Sequence, residues 1–172
     1  MINLDKEIWT FVTSTLADAL PECEVTRAYD ILEKLSQLES ATKPRVFVCL
    51  DGKETDPISK DDVKETRHFE VFLAKYIAAK EEADVTDEMD ALLPLVERIQ
   101  DRFFFKAETF TASDQTTQQV KLISADPDSG ELYDLDFFTD SESFLCALSI
   151  STVNVRKVNT PTSTTTTGET TP

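Results

Sequence analysis

The densest group of chemically reactive side chains in the sequence is a run of six carboxylates within ten residues. Such a run could hold a hard divalent cation through oxygen ligands, or supply groups for acid–base catalysis. Acidic residues are also favoured at the start of a helix, and Thr86 or Asp90 could cap a helix that follows. We therefore interpret the run as a helix start. The six residues are Glu81, Glu82, Asp84, Asp87, Glu88 and Asp90.

The remaining candidate groups do not form a known catalytic motif. His68 is the only histidine, so one chain cannot build a multi-histidine metal site, although a Cys–His pair stays open. Cys23, Cys49 and Cys146 lack C-x-x-C spacing and are expected to be buried free thiols. Three glycines cannot form a Gly-rich phosphate loop. The stretch 126–130 fails as a calcium loop, because its glycine is fifth instead of sixth. The sequence therefore predicts no catalytic residue, no metal and no cofactor.

Composition restricts the class of protein further. A chain of 172 residues suits one domain with a hydrophobic core. Its 33 acidic and 17 basic residues give a net charge of −16, which repels a phosphate backbone and argues against direct nucleic-acid binding. No apolar run approaches the ~20 residues that span a bilayer, and no basic region followed by an apolar one marks a secretory signal. We expect a protein made in a cytoplasm, without membrane contact.

One long strand organises the rest of the chain. Residues 62–79 alternate between two faces, with an apolar middle on one face and polar ends on both. A second strand is predicted at 45–50, with Asp51-Gly52 as a turn and the polar stretch 51–62 as a loop. These segments predict a long antiparallel hairpin that projects beyond the core. The apolar middle consists of Phe69, Val71 and Leu73.

Two main helices are expected to pack on this hairpin. The first runs from a cap at Asn3 to about Leu20, and the second covers 87–103. Between the first helix and the hairpin, we expect a short strand at 23–29 and a short helix capped by Asp30. The apolar face of the second main helix consists of Leu92, Val96, Ile99 and Phe103.

The C-terminal part of the chain is predicted to be mostly strand. A long connection over 106–119 leads into it, and the stretch 126–130 has the residues of a turn. The expected strands are 120–125, 132–138 and 144–155.

The last residues, 159–172, differ from the rest and form a Thr-rich tail. From Thr160 to Pro172, eight of the thirteen residues are threonine and none is apolar. We expect one domain over 1–158, followed by a tail that is disordered in isolation. A neighbouring chain could receive this tail as an added strand.

Together the elements predict an α+β fold, with a mostly antiparallel sheet and a long central hairpin, packed by the N-terminal helix and a second main helix. This order resembles the tail terminator proteins of tailed bacteriophages, also called minor tail or tail-completion proteins. The likeness is one of architecture and covers about 1–156. It rests on the helix 5–20 with the strand 23–29, on the strand 44–48, and on the segment 67–73 with the helix 87–103 that follows a polar break.

The resemblance implies a structural protein of the virion tail or neck, assembled in the bacterial host cytoplasm. The proteins that it resembles form a hexameric ring that caps the tail tube, stops tube growth and offers a docking surface to the head. The implied partners are further copies of the chain, the tail tube protein, a neck or connector protein, and a sheath protein if the tail contracts. DNA would pass only as cargo. Two alternatives stay open: another neck or head-closure component, and a soluble monomeric adaptor with an acidic recognition face.

Charged residues of the hairpin and the scarce cations elsewhere are the candidates for subunit or tube contacts. The cations could also form intrachain or solvated ion pairs of small value. The candidate interface residues are Arg45, Asp51, Lys53, Glu54, Asp56, Lys60, Asp62, Arg67, Lys75, Arg98 and Arg102.

Overall fold

A computed structural model describes residues 4–78, 81–103, 106–113, 117–124, 138 and 141–157, with backbone alone for 106, 117, 118 and 122–124. Both helices and strands occur throughout the described part of the chain. In chain order they are α1 (Leu4–Ala19), β1 (Glu24–Arg27), α2 (Ile31–Leu35), a 3-10 turn (Leu38–Ser40), β2 (Arg45–Pro57), β3 (Asp62–Tyr76), α3 (Glu82–Asp90), α4 (Leu93–Phe103), β4 (Lys106–Thr111), β5 (Thr117–Ser124) and β6 (Ser143–Lys157).

The six described strands form one sheet in the order β1-β2-β3-β6-β5-β4. β1 runs parallel to β2, and every other neighbouring pair is antiparallel. The predicted central hairpin is present as β2–β3, and β6 pairs with β3 along its full length, from Asp62↔Lys157 to Tyr76↔Ser143. The α+β class and the mostly antiparallel sheet are therefore confirmed.

Helices α1 and α4 cover one face of this sheet and form the main core with it. The apolar middle of β3 is fully buried there, and Phe103 of α4 packs in the same cluster. Trp9 of α1 is 4% exposed and donates its indole N–H to the Val48 carbonyl at 2.8 Å. The apolar side chains of β3 and α4 thus point into the core, as the sequence predicted.

Among the described residues, the opposite face of the sheet is covered only at one end. Phe47, Ala74 and Leu145 pack there against Leu38 of the 3-10 turn. Asp30 caps α2 as predicted, since its carboxylate accepts from the Leu32 amide at 2.9 Å. Farther along the same face several polar side chains are at least partly open to solvent. We call this uncovered part the open face, and it contains Glu54, His68, Glu70, Ser149 and Ser151.

Two predicted connections are wrong because the chain continues as strand. Asp51-Gly52 is not a turn: β2 runs through it to Pro57, with a register shift between Leu50 and Gly52 that leaves Asp51 as an extra residue. The turn lies instead at 58–61. Likewise, the stretch 106–119 is not one long connection, because it contains β4 and the start of β5.

The predicted helix 87–103 is also wrong in its extent, since α3 and α4 are separate helices. The acidic run does not precede a helix but forms α3, with Glu81 at its N-cap position. Thr86 is not a cap, because its hydroxyl donates to the Glu82 carbonyl inside the helix. Phe138, expected to end a strand, is helical. The Asn3 cap, the turn 126–130, residues 132–137 of the same strand and the tail 159–172 lie outside the described residues.

Candidate interaction site

The outer part of the β2–β3 hairpin, residues 53–67, forms a structured arm. Its strands pair from Lys53↔Arg67 to Pro57↔Val63. Its turn is closed by several hydrogen bonds, among them one from the Ile58 amide to the Asp62 carbonyl at 3.0 Å and one from the Asp62 amide to the Ser59 hydroxyl at 3.0 Å. Residues 53–61 are all exposed. The stretch predicted as a loop is therefore an ordered, solvent-exposed arm.

The bulge at Asp51 determines which arm residues point toward the core side. Before it, Leu50 lies opposite the buried Phe69, and after it Lys53 lies opposite Arg67. If β2 ran through this point without a bulge, the two-residue period of a strand would place Lys53 on the opposite side of the sheet. The bulge thus brings an amine to the side that carries Arg67.

Arg67 lies at the centre of a buried ionic cluster at the base of the arm. Its side chain is fully buried, and its guanidinium uses all three nitrogens. Nε donates to Asp5 Oδ1 at 2.8 Å, Nη1 to Asn154 Oδ1 at 2.6 Å, and Nη2 to Glu65 Oε2 at 2.8 Å. Arginine suits this position because its planar group offers several donors in fixed directions.

Glu65 is the second centre of the cluster and is 1% exposed. Its other oxygen, Oε1, accepts from Arg156 Nε at 2.8 Å and lies 3.2 Å from Lys53 Nζ. Burial disfavours the charged carboxylate and would raise its pKa. The hydrogen bonds from Arg156 and Arg67, with the charges of Arg67 and Lys53, outweigh burial and lower the pKa of Glu65 to about 2.

The ionic cluster joins four elements that are distant in sequence. Asp5 comes from α1, Lys53 from β2, Glu65 and Arg67 from β3, and Asn154 and Arg156 from β6. Removing one partner of a buried ion pair costs about 3–5 kcal/mol, because the other charge stays buried. The cluster therefore fixes the position of the arm relative to α1 and β6.

A smaller polar group lies on the open face beside the arm. His68 Nδ1 is 3.0 Å from the Ser151 hydroxyl, and His68 Nε2 is 3.7 Å from Glu54 Oε1. Serine, histidine and a carboxylate are the residue types of a nucleophilic triad, but hydrolysis also needs donors for the oxyanion. Here the distance of 3.7 Å between His68 Nε2 and Glu54 Oε1 exceeds the length of a hydrogen bond, so Glu54 does not orient the ring as a triad carboxylate does.

The eleven predicted interface residues separate into two groups. Six lie on or next to the arm and have at least partly exposed positions: Asp51, Lys53, Glu54, Asp56, Lys60 and Asp62. The other five are cations that each form an intrachain ion pair: Arg45 with Glu24, Arg67 with Asp5 and Glu65, Lys75 with Glu88, Arg98 with Glu22, and Arg102 with Glu108.

Arg67 must be removed from the candidate surface, because a fully buried side chain cannot contact another molecule. The other cluster residues Asp5, Glu65, Asn154 and Arg156 were not predicted. The alternation of β3 did place Glu65 and Arg67 on the side of Phe69, which was a signal that both are buried. The partners on α1 and β6 could not be found this way, since they depend on long-range register.

The thiols and acidic groups give no sign of other chemistry. Burial raises the pKa values of Cys23 and Cys146 to about 11, which leaves both thiols protonated and unreactive at neutral pH. Within the described ranges, no group of three or more His, Cys, Asp or Glu side chains could hold a metal ion. No described helix is long and apolar enough to cross a membrane.

Comparison with known proteins does not assign this chain to a family. No protein-family model matches this chain, and no curated protein sequence matches it.

Proposed function

We propose that this protein is a tail terminator of a tailed bacteriophage, which forms a ring on the finished tail tube and presents a docking surface to the head. The resemblance in element order supports the proposal, together with the α+β sheet that carries a long central hairpin. The net charge of −16 is also suitable, because a negatively charged passage lets DNA slide without binding.

The observation that carries the proposal is the ordered arm over the buried ionic cluster. A capping subunit must recognise the end of a tube and hold one orientation while the head docks. The arm is exposed from residue 53 to residue 61, yet its base is tied to α1 and β6 through Arg67 and Glu65. Such a rigid surface loses little conformational entropy on binding.

The arm also has the composition of a specific contact. Ile58 at its turn is 57% exposed, and Lys60 and Asp56 flank it. An exposed apolar side chain within a charged rim can anchor a contact, while the rim selects the partner. We therefore assign tube recognition to the turn of the arm.

The experiment combines native mass with binding to tube ends. Purified protein is measured by analytical ultracentrifugation across concentration, and negative-stain images are recorded with and without tail tubes of the virus that encodes the chain. A ring of about six copies, in solution or only on tube ends, is the expected result. A strict monomer that ignores both tubes and neck complexes would leave the acidic adaptor as the better interpretation.

An arm variant with a matched control locates the contact. Ile58→Asp should reduce the occupancy of tube ends by about tenfold or more, since it places a charge in an apolar contact. Leu32→Asp is the control, because Leu32 is 74% exposed but lies on α2, away from the arm. Equal loss in both variants would show that the arm is not the contact. Binding to neck complexes instead of tubes would favour the other neck components.

A further inference from the structure

A cleft opens between β5 and β6 on the outer part of the sheet. The two strands pair only from Lys121↔Val153 to Ser124↔Ile150. β5 extends beyond this pairing back to Thr117, and β6 extends forward to Lys157. The cleft has a volume of about 480 Å³. Its lining is formed by Lys64, Gln119, Lys121, Val153, Asn154 and Val155.

Strand edges face each other across this cleft. Residues Val155–Lys157 pair with β3 on one side, and among the described residues no strand pairs with them on the other. Residues Thr117–Val120 pair with β4 and extend beyond the stretch that pairs with β6. An extended peptide can bind such an edge by main-chain hydrogen bonds. The geometry therefore suits an added strand.

The side chains around the cleft define the chemistry of that strand. Lys64 and Lys121 stand on opposite sides, on β3 and β5, and no acidic residue is among the described lining residues. Lys64 Nζ lies 3.9 Å from Asp56 Oδ2, whereas Lys121 has no acidic neighbour among those lining residues. Val155, between them, is 54% exposed. In a protein of net charge −16, such a positively charged and apolar cleft favours a strand without cations.

The sequence contains a segment with this chemistry. Residues 160–172 hold eight threonines, no lysine or arginine, and one acid, Glu169. Threonine is β-branched and favoured in strands. Pro161 can precede a strand, because the first residue need not donate to the ladder.

We propose that the cleft receives the Thr-rich segment of a neighbouring copy as an added strand. This inference rests on the proposed ring, because it needs copies held side by side. The printed sequence continues 15 residues past Lys157, from 158 to 172, which reach about 50 Å when extended. A domain of this size is roughly 40 Å across. A segment of this reach can enter the cleft of a neighbouring copy, whereas entry into its own cleft requires the chain to reverse within residues 158–159.

Mixed cross-linking of full-length chains tests which copy supplies the strand. One variant carries Gln119→Cys in the cleft, and the other carries Thr165→Cys in the Thr-rich segment. Under mild oxidation of the mixture, we expect covalent heterodimers on a non-reducing gel, resolved by a size tag on one variant. The control replaces Gln119→Cys by Asp18→Cys, which is exposed on α1 outside the cleft. Equal heterodimer yield with the control would overturn the proposal.

A single chain that carries both Gln119→Cys and Thr165→Cys tests whether the Thr-rich segment fills the cleft of its own chain. Exclusive formation of an intrachain disulfide would show that the segment fills its own cleft and would overturn the proposal. Lys64→Glu with Lys121→Glu should lower the heterodimer yield by about tenfold, with an unchanged circular dichroism spectrum. An unchanged yield would contradict the role of the two lysines.

These measurements need no tail tubes, so their outcome is distinguishable from the outcome of the tube-binding experiment. Absence of heterodimers from a protein that caps tube ends would overturn the strand exchange alone. Heterodimers from a protein that ignores tubes would support the exchange between copies and contradict the capping role.

Discussion

Glu65→Gln is the most informative single change, because it removes one charge from the buried ionic cluster and keeps the shape of the side chain. The wild-type carboxylate accepts hydrogen bonds from Arg67 and Arg156 and lies near Lys53. The amide of glutamine offers one acceptor oxygen and places donors where an acceptor is needed. In this variant the guanidinium of Arg67 stays buried, but the negative charge of Glu65 no longer balances its positive charge.

The magnitude follows from the pKa of Glu65. A value of about 2 lies about 2.5 pH units below the ordinary value of 4.5, and each unit corresponds to about 1.36 kcal/mol. The ionised carboxylate therefore stabilises the fold by about 3 kcal/mol at pH 7. This agrees with the loss of about 3–5 kcal/mol expected when a buried pair loses one partner.

The pH dependence has a defined sign. Because the pKa is lowered in the folded state, the stabilisation is fully present above pH 4.5 and is lost as the pH falls toward 2. About 1.4 kcal/mol of it remains at pH 3. The difference in the free energy of unfolding between wild type and Glu65→Gln should therefore shrink from about 3 kcal/mol at pH 7 to less than half of that at pH 3.

Urea unfolding measures this difference, with the fluorescence of the single, buried Trp9 as the probe. The control is Glu54→Gln, which changes an exposed carboxylate on the same arm and should cost less than about 0.5 kcal/mol. A loss below about 1 kcal/mol for Glu65→Gln at pH 7, or a loss independent of pH, would refute the stabilising role of the cluster.

Two further changes and one labelling measurement test the local structure. Trp9→Phe should lower the free energy of unfolding by about 2 kcal/mol, measured by circular dichroism in urea, because the buried Val48 carbonyl loses its donor; an unchanged midpoint would contradict this contact. Asp30→Ala should cost about 1 kcal/mol and speed hydrogen exchange at Ile31–Leu35, and unchanged exchange would exclude the cap. Cys146, whose pKa burial raises to about 11, should react with iodoacetamide at pH 8 about 100-fold more slowly than glutathione by peptide mass spectrometry, and equal rates would show an exposed thiol.

The elements that could be predicted are those with a clear local period. The alternation of β3 and β6 and the helical spacing from Leu92 to Phe103 each put apolar side chains on one face, and the structure buries them there. The cap at Asp30 also follows from local chemistry. Local pattern therefore specified the central strands, the main helices and the α+β class.

The parts that could not be predicted depend on contacts between distant residues. Asp51-Gly52 has the residues of a turn, but pairing with β3 carries the strand through it and leaves a bulge. β4 is a short edge strand that pairs only with β5 among the described residues, so its own sequence carries a weak signal. The ionic cluster joins residues as far apart as Asp5 and Arg156, and only the folded register brings them together.

The central claim, that the chain caps a tail tube, is tested most directly by negative-stain imaging of purified protein mixed with tail tubes, alongside the native mass of the protein alone. We expect a ring of about six copies on tube ends, with growth of the tubes stopped when the ring is present. A protein that stays monomeric at every concentration and leaves tube ends bare would contradict it.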